Sequence, residues 1–278
     1  MQNNYIQCDE GVLHVISEGE AGKAVLLLCG AGLDNAFLSW KHLIPKLSTH
    51  YRVFAIDWPK QGYSSAWNGL ADHNCLLKCI DTVLSHFELE KVSLVGLSQG
   101  GAMTLAYSIL HHEKIEKIVA LAPGGIIRFP IGVHQLLWLT AKLTRLTSSV
   151  SRFFFRNKKI ATWSLKKMFP VLPHDFDNIV DDVLQEAERN GVKASDWQNH
   201  SIKLLKMNVY LRPELHHISC PTLFIQGDKD IGVNPKFTIE AANRVPNAKI
   251  VLLQNHGHWV NRQSPENVNR IILDFLTE

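Results

Sequence analysis

Long apolar runs, paired cysteines and, over one stretch, acidic residues are what this 278-residue sequence lacks. No run approaches the ~18 apolar residues that a membrane-crossing helix needs. The longest, Ala24 to Leu33, is broken by two glycines. The cysteines are Cys8, Cys29, Cys75, Cys79 and Cys220, an odd count without metal-ligand spacing. Cys75 and Cys79 stand one helical turn apart and are not a C-x-x-C pair. The expectation is therefore reduced thiols and no disulfide framework. Met1-Gln2-Asn3-Asn4 carries neither a basic region nor an apolar signal segment, so a cytoplasmic location is expected. Internal repeats and low-complexity segments are absent too. From Arg128 to Lys167 there are nine Lys/Arg and no Asp or Glu.

What is there describes an ordinary globular chain, with 46 % hydrophobic and 20 % charged residues. The formal net charge of +3 is unevenly spread: +7 over residues 126–213 and −4 over the rest. A charge that changes with chain position marks a separate unit. Apolar patterning says the same. Strands are expected at Val12–Ile16, Ala24–Cys29, Tyr51–Asp57, Lys91–Leu97 and Lys117–Ala122, alternating with helices near 36–47, 73–87 and 99–113. The strands are almost continuously apolar, which suits a parallel sheet covered on both faces. After Pro123-Gly124-Gly125 no strand is expected for about 88 residues, by the same periodicity reading. Helices are expected instead at Ile131–Thr147, Ile160–Phe169, Phe176–Arg189 and Ala194–Met207. Strands return at Pro221–Gly227 and Ala248–Leu253, with helices near 236–244 and 264–276.

The segment Gly96-Leu97-Ser98-Gln99-Gly100-Gly101 lies where an expected strand meets an expected helix. G-x-S-x-G at such a junction describes a nucleophile elbow, a turn so tight that small residues must flank the serine. The helix N-terminus there supplies free N–H groups and a favourable dipole for a developing oxyanion. A serine hydroxyl is a weak nucleophile and needs a base, which needs an orienting acid. With fourteen histidines, one histidine proves little. His256 and His258 follow the last expected strand, and Asp228 and Asp230 follow the one before. All of them lie past C-terminal strand ends, the edge along which open α/β sheets build sites.

Taken together, Leu28-Cys29-Gly30-Ala31-Gly32, Asp57-Trp58-Pro59-Lys60-Gln61-Gly62-Tyr63-Ser64, GLSQGG, PTLFIQGDKD and HGHW make the sequence resemble the α/β-hydrolase superfamily over essentially its whole length. The resemblance implies an α/β-hydrolase fold, with a mostly parallel central sheet, helices on both faces and a helical lid inserted after the sixth strand. Residues 1–125 and 214–278 would form the core and 126–213 the lid. It implies Ser98 as nucleophile, His258 as base and Asp230 as orienting acid; Asp228 is the competing acid, with a turn role as its other reading, and His256 reads as a loop residue. The backbone N–H groups of Gln99 and Ala31 would form the oxyanion hole, and Leu33, Leu97, Trp138 and Trp259 would line the substrate pocket. No metal or organic cofactor is called for. Two motifs depart from the family pattern: Cys29-Gly30 stands for the familiar His-Gly, and Lys60-Gln61-Gly62 for the commoner Gly-His-Gly. Cys29 is expected to be a packed, inert thiol.

The first part of the expected lid mixes basic residues with Phe129, Leu136, Leu137, Trp138, Leu139, Leu143, Leu146, Phe153, Phe154, Phe155, Trp163 and Met168. The basic residues read as a solvated outer face, as an attractor for an anionic substrate, or as part of a surface that touches lipid. The main expectation is a serine hydrolase that cleaves carboxylic esters of a small to medium apolar substrate through an acyl-enzyme. The partner is then a small-molecule ester, not nucleic acid. The same triad also serves C–C bond hydrolysis of dienoate ring-cleavage products, enol-lactone opening and thioester hydrolysis. The tail GHWVNRQSPENVNRIILDFL is similar to those of C–C hydrolases, which tend to have Asn where Leu97 stands. A non-catalytic small-molecule-binding protein on the same fold is the alternative of another class.

Overall fold

The computed structural model describes residues 1–129, 132, 135, 136, 138, 139, 157–191 and 195–278. Eight strands form one sheet: β1 (Gln2–Cys8), β2 (Gly11–Glu18), β3 (Ala24–Leu28), β4 (Arg52–Ile56), β5 (Val92–Leu97), β6 (Ile115–Leu121), β7 (Thr222–Gly227) and β8 (Ala248–Leu253). Their order is β1-β2-β4-β3-β5-β6-β7-β8. The β1–β2 and β2–β4 pairings are antiparallel; every other pairing is parallel. β1 was not expected from the sequence. Of its seven residues only Ile6 is buried, so this edge strand lacks the apolar signature of its neighbours.

The central strands are apolar at consecutive positions because both faces are covered. In β3, Leu26 and Leu28 join one core, with Leu76 and Ile80 of α3 (His73–His86) and Met103 and Leu105 of α4 (Gln99–Leu110). Val25 and Leu27 join the other, with α1 (Ala36–Trp40), α2 (Ile44–Leu47) and the C-terminal α10 (Pro265–Thr277). Successive side chains of a strand point to opposite faces, which divides the run between two cores. The single helix expected at 36–47 is two short ones, with Pro45 in the first turn of the second.

Between β6 and β7 the described regular elements are helical: α5 (Lys158–Lys166), α6 (Phe176–Asn190), α7 (Asp196–Ser201) and a 3-10 turn at Arg212–His217. α7 is much shorter than the helix expected at 194–207. Beyond Ser201 the chain doubles back, with Ile202 bridged to Met207. Most of the expected 131–147 helix lies outside the described residues, as do Leu137, Leu143, Leu146, Phe153, Phe154 and Phe155. Lys142, Arg145, Arg152 and Arg156 lie outside them too. α8 (Pro235–Ala242) and α9 (Val260–Gln263) complete the helices that bear on the site.

α6 is fastened to the sheet layer through Glu186, which is 1 % exposed. Its Oε1 accepts from the Gly62 N–H at 2.9 Å and the Asn190 amide at 2.6 Å, and its Oε2 from the Asn35 amide at 2.9 Å. The first and last of these donors sit on the loops after β4 and β3. Glu186→Ala should therefore leave several buried donors unpaired and lower unfolding stability by about 3–5 kcal/mol. Urea unfolding of the variant beside wild type reads this; a change below about 1 kcal/mol, the net worth of one ordinary hydrogen bond, would show that the contact carries little.

Candidate active site

The turn from β5 to α4 decides where Ser98 stands. Its φ and ψ are 54° and −108°, a region that costs a non-glycine residue about 1–3 kcal/mol. Neighbouring glycines allow the turn. A methyl group at Gly96 would lie 2.3 Å from the Gly100 carbonyl oxygen, and one at Gly100 would lie 2.1 Å from that of Leu28. The Ser98 N–H donates to the Leu121 carbonyl at the end of β6, which pins the turn between strands.

Asp230 lies three residues beyond β7 and His258 follows β8; they meet at 2.8 Å between Asp230 Oδ2 and His258 Nδ1. The Asp230 carboxylate is buried and also accepts from Gln226 Nε2 at 2.8 Å and from the N–H groups of Gly232 and Val233 at 2.7 and 2.9 Å. Burial by itself would raise its pKa. The bond from His258, that ring's charge, and the Val233 and Gln226 bonds outweigh it and hold the carboxyl below its ordinary value. With Nδ1 engaged, His258 keeps Nε2 free among the described residues. Asp228 instead accepts from the His256 N–H at 3.2 Å, and the His256 ring binds the Gln254 carbonyl and the Ser264 hydroxyl. Asp228, on the loop after β7, thus braces the loop after β8, to which His256 and His258 belong.

Two cavities meet at Ser98 and His258. The larger, of about 470 Å³, is lined by Ala31, Leu33, Asp34, Leu97, Leu165, Met168, Val183 and Trp259, among others. The smaller, of about 250 Å³, is lined by Gly124, Ile127, Phe129, Trp197, Ile202, Met207 and Val233, among others. Gln198 of α7 borders both. Leu33, Leu97 and Trp259, which the sequence reading assigned to the substrate pocket, all line the larger cavity, and Trp259 also stacks on Phe169 with ring centroids 6.0 Å apart. Trp138 is not among the described residues that line either cavity.

Gln99 opens α4, where a first-turn N–H has no intrahelical acceptor. Ala31 lies on the loop after β3, beside Ser98 in the larger cavity. Cys29 is wholly buried, its thiol turned to the Ile56 carbonyl at 3.5 Å, and burial pushes its pKa well up. Such a thiol is poorly nucleophilic.

The family model described as "alpha/beta hydrolase fold" matches residues 24–265. The chain belongs to this α/β-hydrolase family. The 2-hydroxy-6-oxononadienedioate/2-hydroxy-6-oxononatrienedioate hydrolase of Cupriavidus pinatubonensis is 24 % identical over 273 residues, covering 95 % of this chain and 90 % of the relative. Among solved structures, the bromoperoxidase of Bacillus anthracis superposes with a TM-score of 0.79 at 21 % identity over all of both chains. The enol-lactonase of Burkholderia xenovorans does so at 0.78 and 20 %, over 99 % of this chain and all of the other. Likenesses at this level of identity bear on the fold alone.

One cavity residue of this α/β hydrolase escaped the sequence reading. Asp34 Oδ2 accepts from the Gly30 N–H and the Ser39 hydroxyl, each at 2.6 Å, and Oδ1 from the Asn35 N–H at 2.9 Å. Burial nevertheless lifts its pKa to about 7, with the Glu186 charge adding to the rise. Only its place in the loop, four residues past Gly30, hinted at it. A carboxyl with a raised pKa in the folded state contributes its full stability below its unfolded value near 4. That contribution is lost as pH climbs to about 7. The folded state should thus lose about 3–5 kcal/mol of Asp34's share between pH 4 and 7. Asp34→Asn should flatten that part of the profile, whatever its uniform cost. Urea titrations of both proteins at pH 4, 5.5 and 8 measure the difference; parallel profiles would mean that Asp34 ionises like a surface carboxyl.

Proposed function

We propose that the chain is a serine-dependent hydrolase whose substrate carbonyl sits between the two cavities, with Ser98 as nucleophile, His258 as base and Asp230 as its orienting acid. The observation that carries this is the His258–Asp230 bond beside a strained serine that opens on both cavities. The Ser98 oxygen adds to the carbonyl carbon as His258 Nε2 takes its proton. The N–H groups of Gln99 and Ala31 receive the oxyanion. Collapse expels the leaving group, which takes the proton back from His258, and an acyl-enzyme remains. Water, deprotonated by His258, then releases the acid.

For the bond cleaved we favour a C–C bond in a conjugated keto acid, with enol-lactone opening as the close variant. The support is the run of curated relatives named 2-hydroxy-6-oxononadienedioate hydrolases, each covering most of the chain at 23–25 % identity. Chemistry narrows the class further. A carbon leaving group departs only if its electron pair is delocalised, as into a conjugated 2-oxo acid; an enolate leaving an enol lactone meets the same condition.

The second reading is hydrolysis of an uncharged carboxylic ester. Asp34 in the larger cavity favours it, because a carboxyl that ionises near neutrality opposes a second carboxylate there. Leu97, apolar and directly before Ser98, supports it too.

A visible-absorbance assay of a yellow 2-hydroxy-6-oxo-dienoate, run beside p-nitrophenyl esters from acetate to palmitate, separates the two. The expected result is loss of the dienoate colour, with kcat about 10⁴–10⁶-fold lower in Ser98→Ala and orders of magnitude lower in Asp230→Asn. Ester turnover alone would establish the second reading. Activity that survives in Ser98→Ala would refute both, and damage by Asp228→Asn in place of Asp230→Asn would move the orienting acid.

A further inference from the structure

We infer that Gln61 is a positioning residue for the oxyanion hole: its side-chain amide holds the carbonyls behind the loop after β3 and so turns the Ala31 N–H toward Ser98. The inference rests on the proposed serine mechanism and adds a residue that no catalytic motif marks. The two N–H groups of Gln61 Nε2 reach three carbonyls, of Gly30 at 3.1 Å, Gly32 at 3.1 Å and Asp34 at 2.9 Å, one N–H being shared between two of them. The Trp58 indole N–H donates to the Cys29 carbonyl at 2.9 Å. Four carbonyls of one short loop are thus drawn toward the segment after β4.

A trans peptide points its C=O and the next N–H in opposite directions. With the Gly30 carbonyl held by Gln61, the Ala31 N–H of the same peptide unit must point away from Gln61. Ala31 lines the larger cavity together with Ser98. The Gly30 N–H, just before Ala31, is already taken by the Asp34 carboxyl, as is the Asn35 N–H further along the loop. Gly32, at φ +76°, provides the left-handed step that lets alternate carbonyls converge on one amide.

Gln61 is itself held rigidly. It is 5 % exposed, its N–H donates to the Trp58 carbonyl at 2.9 Å, and its own carbonyl accepts from the Ser64 N–H at 3.0 Å. The Ser64 hydroxyl in turn accepts from the His14 N–H and donates to the Asp57 carbonyl, each at 2.8 Å. The Gln61 amide is therefore a fixed clamp between β2, β4 and the loop, at the position where Gly-His-Gly is the commoner pattern.

The test uses the rate at which an alkyl fluorophosphonate labels Ser98, because that rate needs the oxyanion hole and does not need the natural substrate. Gln61→Met keeps the side-chain length and removes the donors. Its labelling should be about 10- to 100-fold slower than wild type, yet still reach one label per chain. Affinity for a phenylboronic acid, which forms a tetrahedral adduct on the serine, should fall by a similar factor. A purely structural defect would reduce the labelled fraction and the Tm but leave the rate of the folded fraction unchanged. Gln61→Asn, one methylene shorter, serves where Gln61→Met folds poorly and should show an intermediate loss. Labelling of either variant within twofold of wild type would overturn the inference and leave the serine mechanism standing. A wild type that is not labelled at Ser98 would instead overturn the mechanism itself.

Discussion

The whole sheet edge depends on two side chains that are not there. At Gly100 the start of α4 lies so close to the end of β3 that a methyl group would collide with the Leu28 carbonyl. Gly96 leaves the same kind of room one turn earlier. This close approach presses the helix N-terminus against the loop after β3. In the proposed mechanism this approach is what lets the N–H groups of Gln99 and Ala31 converge on one oxygen. The strain is carried by the strands: the Ser98 N–H is tied to β6, and β5 is paired along its length on both sides. A parallel sheet buried on both faces is a stiff support on which such a conformation persists.

Most buried polar groups near the site are matched, although Trp259 Nε1 and Thr104 Oγ1 are buried without a partner among the described residues. Gln61 and Trp58 satisfy loop carbonyls, and Asp34 satisfies loop N–H groups. Asp230 accepts from four donors, of which His258 is one. The proposed reaction uses His258 Nε2 and the N–H groups of Gln99 and Ala31. Buried groups pair because leaving them unpaired costs about 1–3 kcal/mol each. In that reaction substrate atoms would complete these three.

How much of this could be read from the sequence follows from what each residue touches. Ser98, Asp230 and His258 were legible because their chemistry forces a local pattern, glycines around the serine and loops just beyond strand ends. The sheet was legible where strands are buried on both faces, and illegible at β1, whose polar residues face solvent. The helix expected at 194–207 failed for a different reason. Its apolar residues keep a helical spacing, yet the chain turns at 203–206 and leaves Leu205 84 % exposed. The roles of Gln61 and Asp34 were not legible, since their partners are mostly backbone groups that any sequence offers. The two departures from the family pattern, at Cys29 and Gln61, were visible as departures. Their meaning lay in the carbonyls of residues 29 to 34.

The helices between β6 and β7 do more than cover the cavities. α7 contributes Gln198, which borders both, and the Ser195 hydroxyl before it donates to Gln99 Oε1 at 2.6 Å. Lys60, directly before Gln61, binds Asp196 at 2.6 Å. The Trp197 indole donates to His73 Nδ1 at 3.1 Å, an acceptor role that requires the unprotonated ring; burial, with the His200 charge adding, lowers the His73 pKa to about 4. The turn at 195–197 therefore touches the residue after Ser98, the residue before the proposed clamp and the face of α3. Any displacement of α7 that opened the cavities would also release Gln99 and Lys60. Access to the cavities and the geometry of the proposed oxyanion donors are for that reason one mechanical problem in this fold, met by the same few polar contacts.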